Sequence, residues 1–473
     1  MLNIALINPE IMLALAGLFI LVIGAFISEE RAKVLMHLGT LCVTVVLMLV
    51  LSQPAGYGIG AMWVADPGAL LFKSVILISA ALTLLLSVNY PNIPARHVGT
   101  YTALLLWASC GMMLLSGAVD LVYLLIALEL ISIPCFILTG FEQKSEKSSE
   151  GALKYFLMGG LSTAVTVFGI SMFYGATGGT TLLAESASVS LHMTDPVYII
   201  GMLFVMVGFG FKISMVPFHF WAPDAYEGAP TPVTAYLSVA SKLAALGAML
   251  RIFTSVVPHY AINASLVVAV LAALTMTLGN LAALYQTNVK RLLAYSSIAQ
   301  AGYMLIGLVV ADPIGRESVF FYALAYLATN MGAFAVAIAV AGKAGSYELD
   351  IFNGLAKRSF GLAVVMVMFL LSLAGIPPLA GFVAKFYVFA SAVNSQQYLW
   401  LAIVGVVNSV ISVYYYMGIA RRMFFVEPDT AEGVEHDVYV SGVIFVTCAA
   451  TLLMGILPGP LIEAAKSCAT FRF

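Results

Sequence analysis

The sequence predicts an all-α polytopic membrane protein of about fourteen transmembrane helices, two of them discontinuous. Three observations carry the prediction. Of 473 residues, 62% are hydrophobic and only 9% charged, against roughly 25% charged in soluble globular chains. Apolar runs of about 20 residues, enough to cross a bilayer, recur along the whole chain with no soluble domain between them. Five charged residues, Glu129, Lys154, Lys212, Lys242 and Lys385, fall inside those runs. A charge near the bilayer centre costs about 2.5–3.5 kcal/mol on insertion scales, and residues kept at that cost commonly serve proton relays, ion pathways or coupling pairs.

The expected spans are 9–27, 34–52, 69–88, 100–117, 119–141, 151–175, 196–221, 230–256, 262–284, 291–311, 317–342, 360–391, 398–420 and 438–458. Only Ser116, Gly117 and Asp120 mark the boundary between the fourth and fifth. The start, MLNIALINPE, lacks a positive segment, so the first run is expected to be a retained helix rather than a signal peptide. Five scattered cysteines without a C-x-x-C pair argue against an iron–sulfur cluster, a zinc site or a disulfide framework. A net charge of −2 points to no nucleic acid partner and no basic peripheral patch.

Orientation follows from the basic residues. With the N-terminus outside, the inside loops hold twelve Lys and Arg and the outside segments hold three, Arg316, Lys466 and Arg472. The positive-inside rule then expects both termini on the periplasmic side of a bacterial inner membrane. Six basic residues lie within spans. Lys73 and Arg251 fall near span ends, where snorkelling to the interface is the expected behaviour. Lys154 lies about one turn into its helix, and Lys212, Lys242, Lys385 and Glu129 lie deeper.

Two spans carry breaks. In GMLFVMVGFGFKISMVPFHFWAPD, Pro217 lacks an N–H and frees the Ile213 carbonyl beside Lys212. In FLLSLAGIPPLAGFVAKFYV, Pro377 and Pro378 free the carbonyls of Leu373 and Ala374, with Lys385 about two turns on. Unwound backbone at membrane depth is tolerated only where it packs in protein or lines a wet cavity. Discontinuous helices at corresponding places in two halves point to a transport site. The two broken spans are five apart, so they run in opposite directions, the arithmetic of an inverted repeat of spans 4–8 against 9–13. The expected organisation is a three-helix segment (1–99), a first five-helix repeat (100–256), an inverted second repeat (257–424) and a last helix with its tail (425–473).

Burial disfavours charge and pairing favours it. A Glu–Lys pair that forms and breaks therefore changes the proton affinity of both groups, as proton loading and release require. Glu129, five residues before Pro134, is the acidic candidate; its plainer reading is a packing salt bridge, for instance with Lys154. Lys242 has Ser238 at i−4 on the same helical face, where the hydroxyl would hold a water toward it. His219, seven residues after Lys212, shares that lysine's face if the helix resumes regularly. Gln300, Asn330 and Asn408 read as packing or water-holding groups. GFGFK at 208–212 follows no strand and reads as close helix packing. No nucleotide, flavin, heme or metal signature is present in the sequence.

Three segments carry a resemblance: GFKISMVPFHFWAPDAYEGAPTPVTAYLSVASKLA (210–244), QTNVKRLLAYSSIAQAGY (286–303) and SLAGIPPLAGFVAKFYV (372–388). Together they resemble the antiporter-like subunit N family of proton-pumping NADH:quinone oxidoreductase, the respiratory complex I subunit of type 2, over nearly the whole chain. The resemblance implies fourteen helices with inverted five-helix repeats. It implies a proton relay and coupling set at Glu129, Lys154, Lys212, Lys242 and Lys385, with His219 a further candidate. A histidine of some members is here Gln300, which removes a helix-10 histidine relay. The GAPTPV segment and the form of the twelfth span favour this subunit over its two antiporter-like relatives, and lysine at 385 argues against one of them, subunit M, which places a glutamate there. The resemblance further implies no redox centre on this chain. NADH, FMN, iron–sulfur clusters and quinone are expected on other subunits, and the partners are neighbouring membrane subunits and the lipid bilayer. The competing readings are a subunit of a multisubunit cation/proton antiporter or membrane-bound hydrogenase, a stand-alone secondary transporter for a small anion, and a scaffold subunit.

Overall fold

The computed structural model describes residues 4–58, 62–182, 195–255, 263–342, 345–428 and 432–469. Among them, eleven helices are long and apolar enough to cross a membrane, and four shorter apolar helices accompany them. Six unbroken helices come first: α1 (Asn8–Gly24), α2 (Lys33–Leu51), α3 (Pro67–Ser87), α4 (Val98–Ser116), α5 (Leu121–Thr139) and α6 (Glu146–Thr177). The seventh expected span, 196–221, holds α7 (Pro196–Lys212) and then a non-helical stretch, and α8 (Trp221–Gly228) begins at its last residue. Then α9 (Thr231–Tyr236) continues through a π-helical turn, Leu237–Ser241, into α10 (Lys242–Ser255). After α11 (Asn263–Ala283), α12 (Val289–Val310) and α13 (Pro313–Ala341), a short α14 (Leu355–Arg358) precedes the second broken pair, α15 (Phe360–Ala374) and α16 (Ala380–Asn394). The described chain finishes with α17 (Leu399–Phe425), α18 (Val438–Ile456) and the ten-residue α19 (Gly459–Cys468).

Side-chain caps fix several helix starts. Asp120 Oδ1 accepts from the backbone N–H groups of Val122 (2.9 Å) and Tyr123 (3.0 Å). That cap resolves the boundary between the fourth and fifth spans, and replacing such a cap by Ala typically costs about 1 kcal/mol. Asp66, Asp195, Asn288 and Asp312 cap α3, α7, α12 and α13 in the same way. A hairpin of β1 (Gly56–Gly58) and β2 (Trp63–Ala65) escapes sequence reading, because three residues are too few to display an alternating pattern. It lies across the α4–α5 turn, with Val64 N–H donating to Gly117 O (2.8 Å) and Val119 N–H to Met62 O (3.0 Å).

The connections sort onto two faces. Asn92 with Glu142 (3.2 Å), Lys147 with Glu227 (2.7 Å), Asn288 with Glu348 (3.1 Å) and Arg422 with Asp350 (2.5 Å) tie together the turns after α3, α5, α8, α11, α13 and α17. These turns carry most of the basic loop residues, and this is the basic face below. The hairpin, the α4–α5 turn and the end of α6 meet on the opposite face, where Thr180 donates to Asp120 (2.6 Å). Burial grades outward from the middle. The helix from Thr231 to Thr254 buries all of its apolar stretch and α12 and α13 bury 89%, whereas α2 and α18 bury 33%. These central helices therefore meet protein on nearly all sides, and Lys242 lies on one of them.

Lys73 and Arg251 do not snorkel. Both are buried in the protein: Lys73 Nζ lies 2.6 Å from Glu10 Oε1, and Arg251 donates to both Asp66 oxygens at 2.7 and 2.9 Å. Snorkelling is the outcome when no counter-charge is within reach. Here α1 and the cap of α3 supply one each.

Candidate functional site

Lys212 ends α7, and the chain does not resume a helix until Trp221. Ser214 adopts φ +59°, Met215 N–H reaches back to Gly210 O (2.7 Å), and Val216 N–H is held by Thr275 Oγ1 (3.1 Å). The lysine thus sits at the negative end of a half-helix dipole, where a cation is favoured. Its Nζ is buried and has no hydrogen-bond partner among the described residues. Three rings stand in instead, Phe211, Tyr155 and Phe136, with centroids 5.5, 5.6 and 5.8 Å away. Glu129 shares a narrow pocket with Lys212 between α5, α6 and α7, of about 10 Å³, room for about one water. A larger groove of about 410 Å³ between α5 and α6 opens onto Glu129 from the outer surface of the bundle.

Glu129 is not paired with Lys154. It accepts from Thr163 Oγ1 at 2.6 Å. Lys154 points instead to Glu150 (2.5 Å) and Asp224 (2.6 Å), with 43% of its side chain exposed. The reason is position: Lys154 lies about two turns from the start of α6 at Glu146, within reach of Asp224 on α8, whereas Glu129 meets Thr163, nine residues further along α6. Asp224 also receives Arg291 (2.5 Å), and Arg291 joins Glu227 (2.9 Å), so these ions form a network that fastens α8 to α6 and α12. Burial works to raise the Asp224 carboxyl, but the hydrogen bonds from Lys154 and Arg291 outweigh it and hold it below its usual range. Exposed pairs contribute roughly 0–1 kcal/mol each. We therefore expect Lys154→Ala to fold with a melting temperature near that of the wild type, and a clearly lowered melting temperature would show that this network holds more than its exposure implies.

Lys242 opens α10 and donates to Ser297 Oγ on α12 at 2.7 Å. Leu237–Ser241 is a π turn, with more residues per turn than the α-helix, and the Ser238 hydroxyl is engaged elsewhere. Ser238 donates to Ala235 O and accepts from Asn330 Nδ2 (2.7 Å). His219 does not continue the α7 face, because no helix resumes there; it is buried in the turn before α8, with its ring 4.4 Å from that of Phe220. Between Lys212 and Lys242 stands an aromatic wall. Tyr155 stacks on Trp221 (4.0 Å, 6° between planes), Trp221 meets Tyr226 edge-on (6.0 Å), and Tyr226 lies 5.6 Å from Lys242 Nζ.

From Lys242 onward the interior is polar. Ser297 and Gln300 are one turn apart on α12. Gln300 Nε2 donates to Leu373 O (3.0 Å) and its Oε1 accepts from Tyr322. Leu373 and Ala374 are the carbonyls that Pro377 and Pro378 leave free. Ala374 O accepts from both Lys385 Nζ (3.0 Å) and Ser409 Oγ (2.8 Å). Lys385 also donates to Ser409 (3.0 Å) and lies 4.4 Å from the Tyr303 ring. Gly375, at φ +89°, makes this possible: a Cβ there would stand 2.8 Å from Lys385 Cδ. Lys212 precedes its break and Lys385 follows its own, yet both reach the C-terminal end of the first half-helix. Gln300 is therefore more than packing. Asn408, by contrast, is held by Thr277 (3.1 Å) and Asn280 (3.2 Å) as a packing group.

One residue escapes the sequence reading. Lys290 counts as a loop cation by position, but it is buried, with Nζ on Ala229 O (2.6 Å) and 5.0 Å from the Tyr347 ring. It lines a cleft of about 210 Å³ on the basic face with Glu142, Glu227 and Glu348. Burial is the chief influence on the Glu142 carboxyl and pushes it up, against the pull of Lys290. The available signal was the Lys-Arg pair directly inside the Asn288 cap: the first turn of a buried helix is itself buried.

Comparison with known proteins places this geometry. The family described as NADH:quinone oxidoreductase/Mrp antiporter, transmembrane, matches residues 118–412, which defines the chain as an antiporter-like membrane subunit. It is 41% identical over 483 aligned residues, 100% of both chains, to NADH-quinone oxidoreductase subunit N of Moorella thermoacetica. The chain belongs to the NADH-quinone oxidoreductase subunit N family. A chain of respiratory complex I from Thermus thermophilus superposes with a TM-score of 0.82 at 30% identity, covering 97% of this chain and 99% of that one. A chain of the Mrp complex from Dietzia shares the fold at a TM-score of 0.85 and 21% identity, covering 98% and 97%.

Proposed function

We propose that this chain is the proton-translocating membrane subunit of NADH:quinone oxidoreductase. Glu129 and Lys212 receive the coupling signal, Lys242 holds and carries the proton, and Lys385 hands it on. The observation that carries the reading is Lys212: a buried lysine without a hydrogen bond, sharing a one-water pocket with Glu129 at the end of a broken helix. Its charge state is therefore set by Glu129, by the surrounding rings and by the half-helix dipole. Anything that moves Glu129 changes how strongly Lys212 holds its proton. The aromatic wall separates this pair from Lys242. The chain Lys242–Ser297 and then Gln300, Leu373 O, Ala374 O and Lys385 supplies polar stations beyond it.

The names of the relatives place NADH oxidation and quinone reduction in the same enzyme. We assign those reactions, with FMN and iron–sulfur clusters, to other subunits, and no cofactor to this chain. The groove that opens onto Glu129 is where an adjacent membrane subunit delivers the signal. The surroundings are the bacterial inner membrane, with the basic face toward the cytoplasm and both termini periplasmic. The cleft at Lys290 is the inlet from that side, and spans 4–8 and 9–13 (100–256 and 257–424) are the inverted halves. Glu129→Gln tests the coupling step. It keeps the size of the side chain and a hydrogen-bonding partner for Thr163, so the complex should assemble. Proton pumping, followed by dye quenching in vesicles, should fall by about tenfold or more. Wild-type pumping in an assembled Glu129→Gln enzyme rules out the coupling pair.

A further inference from the structure

A second set of buried charges lies on the face opposite the basic loops, and the relay does not use it. Glu10 of α1 pairs with Lys73 of α3 (2.6 Å, with side-chain exposures of 1% and 0%). Lys73 Nζ is 4.2 Å from the Trp63 ring and 3.2 Å from Gln53 Oε1. Asp66, the cap of α3, receives Arg251 of α10 in a two-pronged hydrogen bond, and Arg251 reaches Ser116 O at the end of α4 (3.3 Å). Seven residues separate Asp66 and Lys73, about two turns, so the two pairs stand on one side of α3. Stability alone does not account for such a cluster. Replacing buried ion pairs by well-packed apolar side chains is often neutral or stabilising.

The geometry of α10 gives the cluster an object. Arg251 and Gly247 are four residues apart and share a face. On that face α10 lies so close to α3 that a Cβ on Gly247 would stand 2.6 Å from Phe72 Cδ2. Lys242 is nine residues before Arg251, about 2.5 turns, and so faces the opposite way, toward Ser297 on α12. The helix is pinned on one side to the N-terminal three-helix segment, and on the other it presents the lysine to the polar chain. A slide or rotation about the Arg251 anchor moves Lys242 directly.

We infer that Arg251, anchored on Asp66 and backed by the Glu10–Lys73 pair, is a positioning residue for proton transfer at Lys242. By this inference the N-terminal three helices are a working part of the pump rather than its casing. The inference rests on the reading of Lys242 as a proton carrier. A displacement of about 1 Å between reacting groups can cost on the order of 100-fold in rate.

The test is the double variant Asp66→Asn/Arg251→Gln in the whole complex. It removes both charges while keeping a helix cap and a hydrogen-bonding pair. The expected result is assembly and quinone reduction near wild type, with the pH profile of proton pumping displaced by about one unit, a tenfold change in proton affinity. Arg251→Lys, which keeps the charge and loses the two-pronged geometry, should displace the profile less in the same direction. If the double variant does not assemble, Arg251→Lys decides alone. A wild-type profile in the assembled double variant, or in Arg251→Lys when that stands alone, overturns the inference. Lys242→Ala, measured beside them, separates the two claims. Pumping that survives Lys242→Ala defeats the relay, whereas pumping lost there with an unmoved profile in the Arg251 variants defeats only the positioning role.

Discussion

Lys212→Ala should abolish most proton pumping while leaving the complex assembled, a loss of about tenfold or more by analogy with removal of a general acid–base group. Assembly is expected to survive because the side chain gives up no hydrogen bond: its Nζ has none among the described residues. What it gives up is a charge held by rings at 5.5–5.8 Å and by the end of α7. Lys212→Met fills the same space without the charge and controls for the cavity that Ala leaves. Both variants should show the same pumping defect in vesicles, with assembly checked by native gel and quinone reductase activity. Normal pumping by either assembled variant sinks the relay. A defect in Ala that Met repairs would make Lys212 a packing residue.

Gly381→Ala should have the largest effect on stability, and through a different route. A Cβ at this position would stand 1.8 Å from the carbonyl oxygen of Ser372, far inside any contact the backbone tolerates. The collision falls between the two halves of the broken helix, where Ser372 Oγ also accepts the Gly381 N–H (3.0 Å). Overpacking a filled interior costs roughly 1–3 kcal/mol, and more when backbone must move. We therefore expect little assembled complex, and a lowered melting temperature for whatever forms. The two halves would be forced apart at the carbonyls that Lys385 and Gln300 hold. Assembly and melting at wild-type levels would mean that the break is looser than its contacts imply.

Much of this architecture was legible in the chain because membranes impose simple rules. Length and hydropathy located the helices, and proline chemistry located both breaks. The carbonyls of Leu373 and Ala374 could be named from Pro377 and Pro378 alone, since a missing N–H leaves a particular acceptor free. What could not be read was who meets whom. Glu129 and Lys154 lie on consecutive spans, and nothing in one sequence says that Lys154 is closer to Asp224. Ser238 and Lys242 have helical spacing, but a π turn is invisible to composition. Lys73 and Arg251 looked like interface residues because their counter-charges, Glu10 and Asp66, come from distant parts of the chain. Lys290 was hidden by the same limitation: its place in a loop-to-helix turn reads as solvent, and tertiary packing closes over it.

The π turn at Leu237–Ser241 has a consequence for how this helix tolerates change in length. It joins two stretches whose polar contacts point to different neighbours, Ser238 to Asn330 on α13 and Lys242 to Ser297 on α12. A plain α-helix through the same residues would be out of phase by about 100° at one contact or the other. The helix is in effect one residue overlong, and that surplus sets its timing like an offset between two gears. A single-residue deletion there would preserve every charge, every hydrophobic side chain and nearly the full span. It would let the turn close as plain α and keep Lys242 in phase with its hydroxyl, so this turn tolerates a loss in length that the regular turns on either side of it do not.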